Sequence, residues 1–285
     1  MASPQFGFIG FGEVAAVFSE AMRERGAEIA AYDIVEDKVL AAGVEFRRLP
    51  ALLEGASHVL STVTTQAARQ VAEESAPFLR RGQVYVDLNS TSPGVKVEIG
   101  RIVGAAPADF VEGAILGAVG AAGASVRILL GGPRGQQAAR LLAAFGLNAV
   151  FYSLEIGQAS MFKMLRSIFS KGLEALILET LIAGRRAGIT EDLWKDIVDF
   201  MTRNRFDRVA ANWVQTHAVA SQRRYHEMQQ VTETVRELRL DPLVSAATEA
   251  FFRRSAALGF REAFPEKPAC MEAVVEFVER HLAET

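Results

Sequence analysis

Cysteine is almost absent from this chain of 285 residues, since Cys270 is the only one. A single cysteine excludes a disulfide framework and a thiolate metal cluster. Histidine is also scarce, and the four histidines, at positions 58, 217, 226 and 281, show no spacing of paired metal ligands. We therefore expect neither disulfide bonds nor a bound metal.

The chain also lacks a strong excess of charge and a long uncharged apolar run. Its net charge is −3, so nothing suggests a nucleic-acid partner. The most apolar long segment, 157–183, contains charged residues that exclude a membrane span: Lys163, Arg166, Lys171, Glu174 and Glu179. The first strand is expected within a few residues of the N-terminus, which leaves no room for a signal peptide. These features predict a soluble cytoplasmic protein.

The stretch from residue 5 to residue 33 carries the most informative motif. An apolar run of strand length, QFGFI, leads into Gly10-Phe11-Gly12-Glu13-Val14-Ala15, a G-x-G-x-x-A sequence. Apolar residues then recur at i, i+3, i+4, i+7 and i+8, which predicts a helix with one buried face. Gly26 ends this helix, and a second predicted strand, EIAAY, is followed by Asp33.

The order strand, glycine turn, helix, strand and acid is typical of dinucleotide-binding domains. Gly10 permits a tight turn, Gly12 lets the backbone approach a pyrophosphate, and Ala15 keeps the helix close to the strand. Unpaired N–H groups at the helix N-terminus favour phosphate charge. Asp33 lies 21 residues after Gly12, where a carboxylate can accept hydrogen bonds from an adenosine ribose. A glycine turn without a ligand is the alternative interpretation.

The charges after the second strand favour NAD over NADP. The 2′-phosphate of NADP requires Arg or Lys close to the end of that strand. Here the sequence continues as Asp33-Ile34-Val35-Glu36-Asp37, and Lys38 is the first basic residue. Because an added phosphate would face three acids, we expect NAD and regard NADP as less favoured.

Strand-like and helix-like segments alternate up to about residue 155, and the rest of the chain is helical. The predicted strands cover 5–9, 28–32, 44–46, 58–63, 83–88, 109–116, 126–130 and 149–154. The predicted C-terminal helices cover 158–187, 190–203, 206–217, 222–238, 242–257 and 267–283. This pattern predicts an α/β fold, with a doubly wound parallel Rossmann sheet over residues 1–155 and an all-α substrate and dimerisation domain over residues 156–285.

The helix predicted over 158–187 is apolar around most of its circumference, so we expect it to be buried. Its polar residues recur at i+3 and i+4 and form one stripe: Ser160, Lys163, Ser167, Ser170, Lys171 and Glu174. Burial lowers the pKa of a lysine toward neutrality, which suits a general acid or base. The alternative interpretation is a structural lysine, Lys163 or Lys171, that pairs with Glu174.

Three further groups of residues could line a ligand site. Thr64 follows the fourth strand, and Asn89 and Ser90 follow the fifth, at strand ends where open α/β sheets bind ligands. These short polar groups suit a nicotinamide ribose, with helix N-capping as the alternative. The glycine-rich segment 113–123 could be a backbone wall against a small ligand or a flexible surface loop. Arg223, in an Arg-Arg pair, could bind a carboxylate or lie on a solvated face.

Three segments resemble the β-hydroxyacid dehydrogenase superfamily: FIGFGEVA, VDLNSTSP and GQASMFKM. This superfamily includes 3-hydroxyisobutyrate and 6-phosphogluconate dehydrogenases. The resemblance covers nearly the whole chain, whose C-terminal part resembles a phosphogluconate-dehydrogenase-like branch. It implies that Lys163 matches the catalytic lysine and Ser90 the small hydroxyl residue near the nicotinamide. Two positions depart from the family: Leu116 replaces its substrate-binding serine, and Ser167 replaces its asparagine.

Motif and resemblance together predict an NAD-dependent oxidoreductase that transfers a hydride between nicotinamide and the secondary alcohol or carbonyl carbon of a small substrate. Lys163 is the predicted general acid or base, and Ser167 helps to position the reacting oxygen. The predicted cofactor site comprises Gly10, Phe11, Gly12, Glu13, Val14, Asp33, Val63, Thr64, Asn89 and Ser90. The predicted substrate site comprises Leu116, Gly117 and Arg223. An imine reductase on this scaffold and a non-catalytic NAD(H) sensor are the alternatives.

The C-terminal helices also predict an assembly. Helices rich in Phe, Leu and Ala, such as the one over 243–258, carry more apolar surface than a small helical domain can hide. We therefore expect a homodimer formed through this domain, in which each subunit lines the active-site cleft of the other.

Overall fold

Strands and helices alternate over the first half of the computed structural model, which describes residues 5–282. The elements of this half are β1 (Gln5–Ile9), α1 (Glu13–Arg23), β2 (Glu28–Tyr32), α2 (Glu36–Ala41), β3 (Glu45–Phe46), α3 (Leu49–Gly55), β4 (His58–Ser61), α4 (Ala68–Ser75), β5 (Val84–Asp87), α5 (Pro93–Ala105), β6 (Asp109–Ile115), α6 (Val119–Ala122), β7 (Ile128–Gly131), α7 (Gly135–Ala144) and β8 (Ala149–Ser153). The helices that follow are α8 (Gln158–Ala187), α9 (Thr190–Arg203), α10 (Phe206–Glu237), α11 (Leu243–Ala256), α12 (Phe260–Ala263) and α13 (Met271–Leu282).

The eight strands form one sheet in the order β3-β2-β1-β4-β5-β6-β7-β8. Neighbouring strands run parallel except for β6 and β7, which are antiparallel, so the prediction of a parallel sheet is wrong for this one pair. The segment 116–127 between them holds only α6 and a 3₁₀ turn, whereas a parallel connection needs a full crossover helix. The strand order reverses between β1 and β4, and ligands bind at such switch points in open α/β sheets.

The sheet is buried on both faces, as the doubly wound prediction requires. Side chains alternate across the sheet along β1, so Phe6 and Phe8 belong to one core cluster and Ile9 to the other. The first cluster includes apolar residues of α1 and α7, and the second includes residues of α3, α4 and α5. Continuous apolar strands such as β1 are typical of this double covering.

The chain divides into two compact units between Ile168 and Phe169, within α8. The predicted boundary at residue 155 lies just before this helix, whereas the structure assigns the first turns of α8 to the first unit. The expectation that α8 is buried is wrong, because apolar side chains such as Leu165, Ile168 and Phe169 are exposed.

The second unit consists of helices packed around α10. The structure contradicts the prediction of two helices here, because α10 continues without interruption for 32 residues. The residues between the predicted helices include no Gly or Pro, and Ala218 and Ser221 among them are buried, so the apolar face continues. Ala218 packs in a small core with Phe260, Val274 and Phe277.

Among the described helices, none is both long and apolar enough to cross a membrane.

Candidate active site

The glycine turn after β1 has a conformation that only glycine adopts easily. Gly10 has φ +84°, and a Cβ atom at this position would lie 2.6 Å from Cγ1 of Val63. The next residue is fixed by the acid after β2, because the Phe11 N–H donates to Oδ2 of Asp33 at 2.6 Å. The other oxygen of Asp33 accepts the Val35 N–H at 2.8 Å. The turn and the predicted ribose-binding acid therefore form one hydrogen-bonded unit.

The N-terminus of α1 opens into a groove lined by the residues of the glycine turn. Gly12 is the N-cap residue, and among the described residues no side chain makes a cap hydrogen bond to this helix. A Cβ atom at Gly12 would meet no described atom within 4 Å, so the backbone can be approached closely. Uncapped N–H groups and the helix dipole favour an anion here. The groove measures about 380 Å³, and its lining includes Asp33, Lys38 and Glu74.

A second cleft, of about 460 Å³, adjoins this groove over the carboxyl ends of the strands. The two depressions share five lining residues: Glu13, Val14, Thr62, Val63 and Thr64. The predicted cofactor residues line one or both: Gly10, Phe11, Gly12, Glu13, Val14, Asp33, Val63 and Thr64 the first, and Asn89 and Ser90 the second. Because they share five lining residues, the two depressions adjoin, as the two halves of a dinucleotide would require.

Lys163 lines the second cleft, and its Nζ donates a hydrogen bond to Oγ of Ser90. Burial lowers the pKa of the Lys163 ammonium from 10.5 to about 8, and the positive charge of Lys96 contributes to the lowering. The backbone of Ser90 is held in turn, because Thr65 Oγ1 donates to its carbonyl oxygen at 3.2 Å. Lys171, in contrast, is exposed and pairs with Glu174 at 2.7 Å, so Lys171 is the lysine of this helix that pairs with Glu174.

A carboxylate that the sequence analysis missed anchors the start of α8. Glu112 on β6 is fully buried, and its Oε1 accepts the N–H groups of Gly157 and Ala159 at 2.8 and 3.0 Å. Its Oε2 accepts the hydroxyl of Ser160 at 3.0 Å. Lys163 follows one helical turn later. The sequence did contain a signal, namely an acid in the middle of an apolar strand. Such a position predicts a buried carboxylate with a polar partner, because a charge is rarely buried without one.

A second buried charge that the sequence analysis missed lies behind Ser90. The ammonium of Lys96, on α5, is 3.0 Å from Oδ2 of Asp87 at the end of β5, and both side chains have no exposed surface. It also donates to the carbonyl oxygens of Asp87 and Gly113, at 2.7 and 3.1 Å. Asn89, two residues after Asp87, donates its side-chain amide to Oδ1 of that aspartate and, at 2.9 Å, to Oγ of Ser61.

The predicted substrate residues fall in different places. Gly117 lines the second cleft together with Ile115. The side chain of Leu116 instead packs against the apolar cluster of Ala114, Leu129 and Ala159.

Two other predicted residues lie outside the cleft lining. Ser167 lies one turn beyond Lys163 and donates its hydroxyl to the Lys163 carbonyl oxygen at 2.9 Å. Arg223, on α10 in the second unit, pairs with Glu227 and lines a shallow depression that also includes His226 and Arg261. The first unit therefore brings the cofactor residues, Ser90 and Lys163 together.

Comparison with known proteins identifies the family of the first half of the chain. Residues 5–153, more than half of the chain, match the NAD binding domain of 6-phosphogluconate dehydrogenase, and residues 185–255 match a domain of unknown function. An uncharacterised 28.5 kDa protein of Methanothermus fervidus is 25% identical over 254 residues, which cover 87% of this chain and 98% of that protein.

Solved structures share the fold. A conserved protein of unknown function, described as structurally similar to 3-hydroxyacid dehydrogenases, is 29% identical with a TM-score of 0.60, covering 93% of this chain and 100% of that one. An imine reductase from Myxococcus stipitatus in complex with NADP⁺ is 17% identical with a TM-score of 0.79, covering 96% of this chain and 100% of that one. A variant of it in complex with NAD⁺ is 16% identical with a TM-score of 0.78, covering 97% and 99%.

Proposed function

Because the chain belongs to the family of the NAD binding domain of 6-phosphogluconate dehydrogenase, we propose that it is an NAD-dependent oxidoreductase acting on the secondary alcohol or carbonyl carbon of a small molecule. The nicotinamide, when bound, supplies or accepts the hydride. The single observation that carries this proposal is the hydrogen bond between Lys163 and Ser90, in a cleft that adjoins the groove of the glycine turn. It supports the proposal that Lys163 transfers a proton beside the nicotinamide end of the site.

In this proposal Lys163 moves the proton that accompanies the hydride. Its neutral amine takes the hydroxyl proton when an alcohol is oxidised, and its ammonium returns a proton to the oxygen in reduction. Since burial lowers the pKa of Lys163 to about 8, both forms are populated near neutral pH. Ser90 accepts a hydrogen bond from the amine and orients it. Ser167, one turn along α8, is proposed to position the reacting oxygen.

The proposed cofactor is NAD, held by the residues of the glycine turn and by Asp33. The carboxylate of Asp33 uses one oxygen for the Phe11 N–H and the other for the Val35 N–H, and each oxygen has a further lone pair for a ribose hydroxyl. A second acid, Glu74, and one base, Lys38, line the same groove as Asp33. The acids disfavour a 2′-phosphate at this position.

An imine reductase is the second candidate, and the position of Leu116 favours it. The family that the chain resembles has a serine here, which binds a substrate carboxylate, whereas Leu116 packs into an apolar cluster. Its neighbours Ile115, Gly117 and Ala118 line the cleft. This wall suits a neutral carbonyl or imine better than an acid.

The test is turnover by Lys163→Ala in a panel of small hydroxy acids, ketones and cyclic imines with NADH or NAD⁺. If Lys163 transfers the proton, kcat falls by roughly 10²–10⁴-fold, while cofactor affinity barely changes because the glycine turn and Asp33 are untouched. Lys171→Ala is the matched control, since Lys171 lies two turns along the same helix and pairs with the exposed Glu174. Near-normal turnover by Lys163→Ala contradicts the mechanism, and no turnover by the wild type with any substrate supports an NAD(H) sensor.

A further inference from the structure

Three charged side chains lie fully buried behind the active-site cleft. Lys96, Asp87 and Glu112 each have no exposed surface, although charged residues are rarely buried completely. Asp87 and Glu112 face each other on β5 and β6, because they are register partners in the sheet. Removing such charges from water costs free energy, and an apolar trio would often be at least as stable. The arrangement therefore calls for an explanation beyond stability.

One branch of this cluster leads to Ser90. Lys96 binds both the carboxylate and the carbonyl oxygen of Asp87, which fixes the end of β5. The other carboxylate oxygen of Asp87 accepts the backbone N–H of Asn89 at 3.1 Å and also its side-chain amide. Ser90 is the next residue, so the geometry of its hydroxyl depends on this buried turn.

The other branch leads to Lys163. Lys96 donates to the carbonyl oxygen of Gly113, which directly follows Glu112 on β6. Glu112 in turn accepts two N–H groups and one hydroxyl from the first turn of α8. The N-terminus of a helix stabilises a carboxylate, so Glu112 has a favourable partner despite its burial. The position of Lys163, one turn along, depends on this anchor.

We propose that Asp87, Lys96 and Glu112 are positioning residues that set the geometry and the charge state of the Lys163–Ser90 pair, an inference that rests on the proposed function of Lys163. Lys96 is the central member, since it contacts the strand that precedes Ser90 and the strand that anchors α8. None of the three needs to touch substrate or cofactor for this role.

Charge gives the proposal a measurable consequence. Burial lowers the pKa of Lys163, and the positive charge of Lys96 lowers it further. Three carboxylates belong to the elements that hold this pair: Glu112 binds the first turn of α8, Asp87 binds the residue before Ser90, and Glu13 lines the same cleft as Lys163. On α8 itself the nearest charged residue along the chain is Arg166, which is exposed. Removing the charge of Lys96 should therefore make the Lys163 amine more basic, and removing that of Glu112 should make it less basic.

The experiment is competitive labelling of the intact protein with trace acetic anhydride over a pH series, read by mass spectrometry. The labelling midpoint reports the protonation of each lysine, and Lys171 on the same helix is the internal reference. In Lys96→Met the midpoint of Lys163 should rise by about one pH unit, a usual size for the loss of a nearby charge. Lys96→Arg keeps the charge, so the midpoint of Lys163 should stay at its wild-type value. A purely structural role of Lys96 does not explain this difference between the Met and Arg variants.

Lys96→Met leaves the buried carboxylate of Asp87 without its cation and could fail to fold, so Glu112→Gln is the second variant. Glutamine keeps an acceptor for the first turn of α8 but has no charge, and the midpoint of Lys163 should fall. An unchanged midpoint of Lys163 in folded Lys96→Met, or an unchanged or raised one in Glu112→Gln, overturns the proposal.

The labelling needs no turnover, so it separates this proposal from the proposed function. Shifted midpoints together with an active Lys163→Ala protein would contradict the catalytic role of Lys163 while supporting the coupling. Unshifted midpoints together with an inactive Lys163→Ala protein would contradict the coupling alone.

Discussion

At the scale of one residue, burial of the Lys163 ammonium reduces the stability of the folded protein. Burial holds the pKa of its ammonium at about 8 in the folded protein, below the ordinary value of 10.5. Between these two pH values the unfolded chain binds more protons than the folded one, so stability rises with pH. The destabilisation is therefore fully present below pH 8 and is relieved as the pH rises toward 10.5.

Replacing Lys163 with methionine should stabilise the protein at pH 7. Methionine keeps the length of the side chain and removes the charge, and the expected gain is on the order of 1 kcal/mol after allowance for solvent screening. Denaturant unfolding should show this gain at neutral pH and its disappearance above pH 10.5. Lys171→Met, on the exposed side of the same helix, should change stability at neither pH. A Lys163→Met protein that is less stable than the wild type at pH 7 would contradict the expectation.

Asp33 should decide which dinucleotide binds. With this carboxylate at the ribose end of the groove, NADH should bind at least about tenfold more tightly than NADPH, or about 1.4 kcal/mol. Asp33→Ala should narrow the gap, because it removes both a ribose acceptor and a charge that repels the 2′-phosphate. Isothermal titration with both cofactors measures this directly.

Lys38 provides the matched control for the cofactor experiment. It lines the same end of the groove with the opposite charge, so Lys38→Ala should preserve or widen the preference for NADH. Equal affinity of the wild type for NADH and NADPH would refute the assignment of NAD.

At the scale of one element, α11 begins with a cap supplied from far along the chain. At its N-cap residue, Pro242, the described structure shows no side-chain cap hydrogen bond. The carboxylate of Glu179, on α8, accepts the N–H groups of Val244 and Ser245 at 2.7 and 2.8 Å and also the Ser245 hydroxyl. Burial raises the pKa of Glu179, but these hydrogen bonds outweigh it and hold the pKa below the usual value.

Glu179→Ala should therefore destabilise the protein by about 1–2 kcal/mol, the usual effect of losing a helix N-cap. The stabilisation by Glu179 is present above its ordinary pKa of 4.5 and is lost as the pH falls through the lower folded pKa. Thermal melts at neutral and acidic pH should show a difference between wild type and variant only at neutral pH. Glu174→Ala is the control, because its exposed pair with Lys171 should contribute less than about 1 kcal/mol.

At the scale of the whole molecule, apolar side chains remain exposed along α8. They include Leu165, Ile168, Phe169, Leu173, Leu176, Leu178 and Ile182, with Ile168 72% and Leu178 54% exposed. They lie on more than one side of the helix, since residues 176 and 178 cannot share a face. An uncovered surface of this kind marks a protein interface. We propose that a second copy of the chain covers it.

The double variant Leu178→Glu, Ile182→Glu should convert a homodimer into a monomer at micromolar concentration, because it places charges where apolar contacts are expected. Light scattering coupled to gel filtration measures the mass. Leu40→Glu is the control, since Leu40 on α2 is 53% exposed but lies in the first unit, and this variant should remain dimeric. A monomeric wild type would contradict the proposed assembly.

Much of the fold could be predicted because it depends on local pattern. The period of apolar residues changes from strand to helix within a few residues, so the bounds of β1, β2, α8 and α9 agree closely with prediction. Gly10 could be identified from the G-x-G-x-x-A motif. The structure shows why glycine is needed there, because the tight turn against Val63 leaves no space for a Cβ atom. Lys163 was identified from the polar stripe on its helix, and Ser90 from its place after the fifth strand. The structure brings the two residues into contact.

Other features were decided only by contacts between distant residues. The antiparallel pairing of β6 and β7 depends on how a short connection crosses the sheet, and the continuity of α10 depends on an apolar face that packs on other helices. The buried contacts of Lys96 and Glu112 could not be predicted either. The partners of a buried charge identify it, and these partners lie 9 to 48 residues away along the chain. The sequence alone determined the cofactor motif and the position of Lys163, the proposed proton-transfer residue, whereas tertiary packing decided what holds them in place.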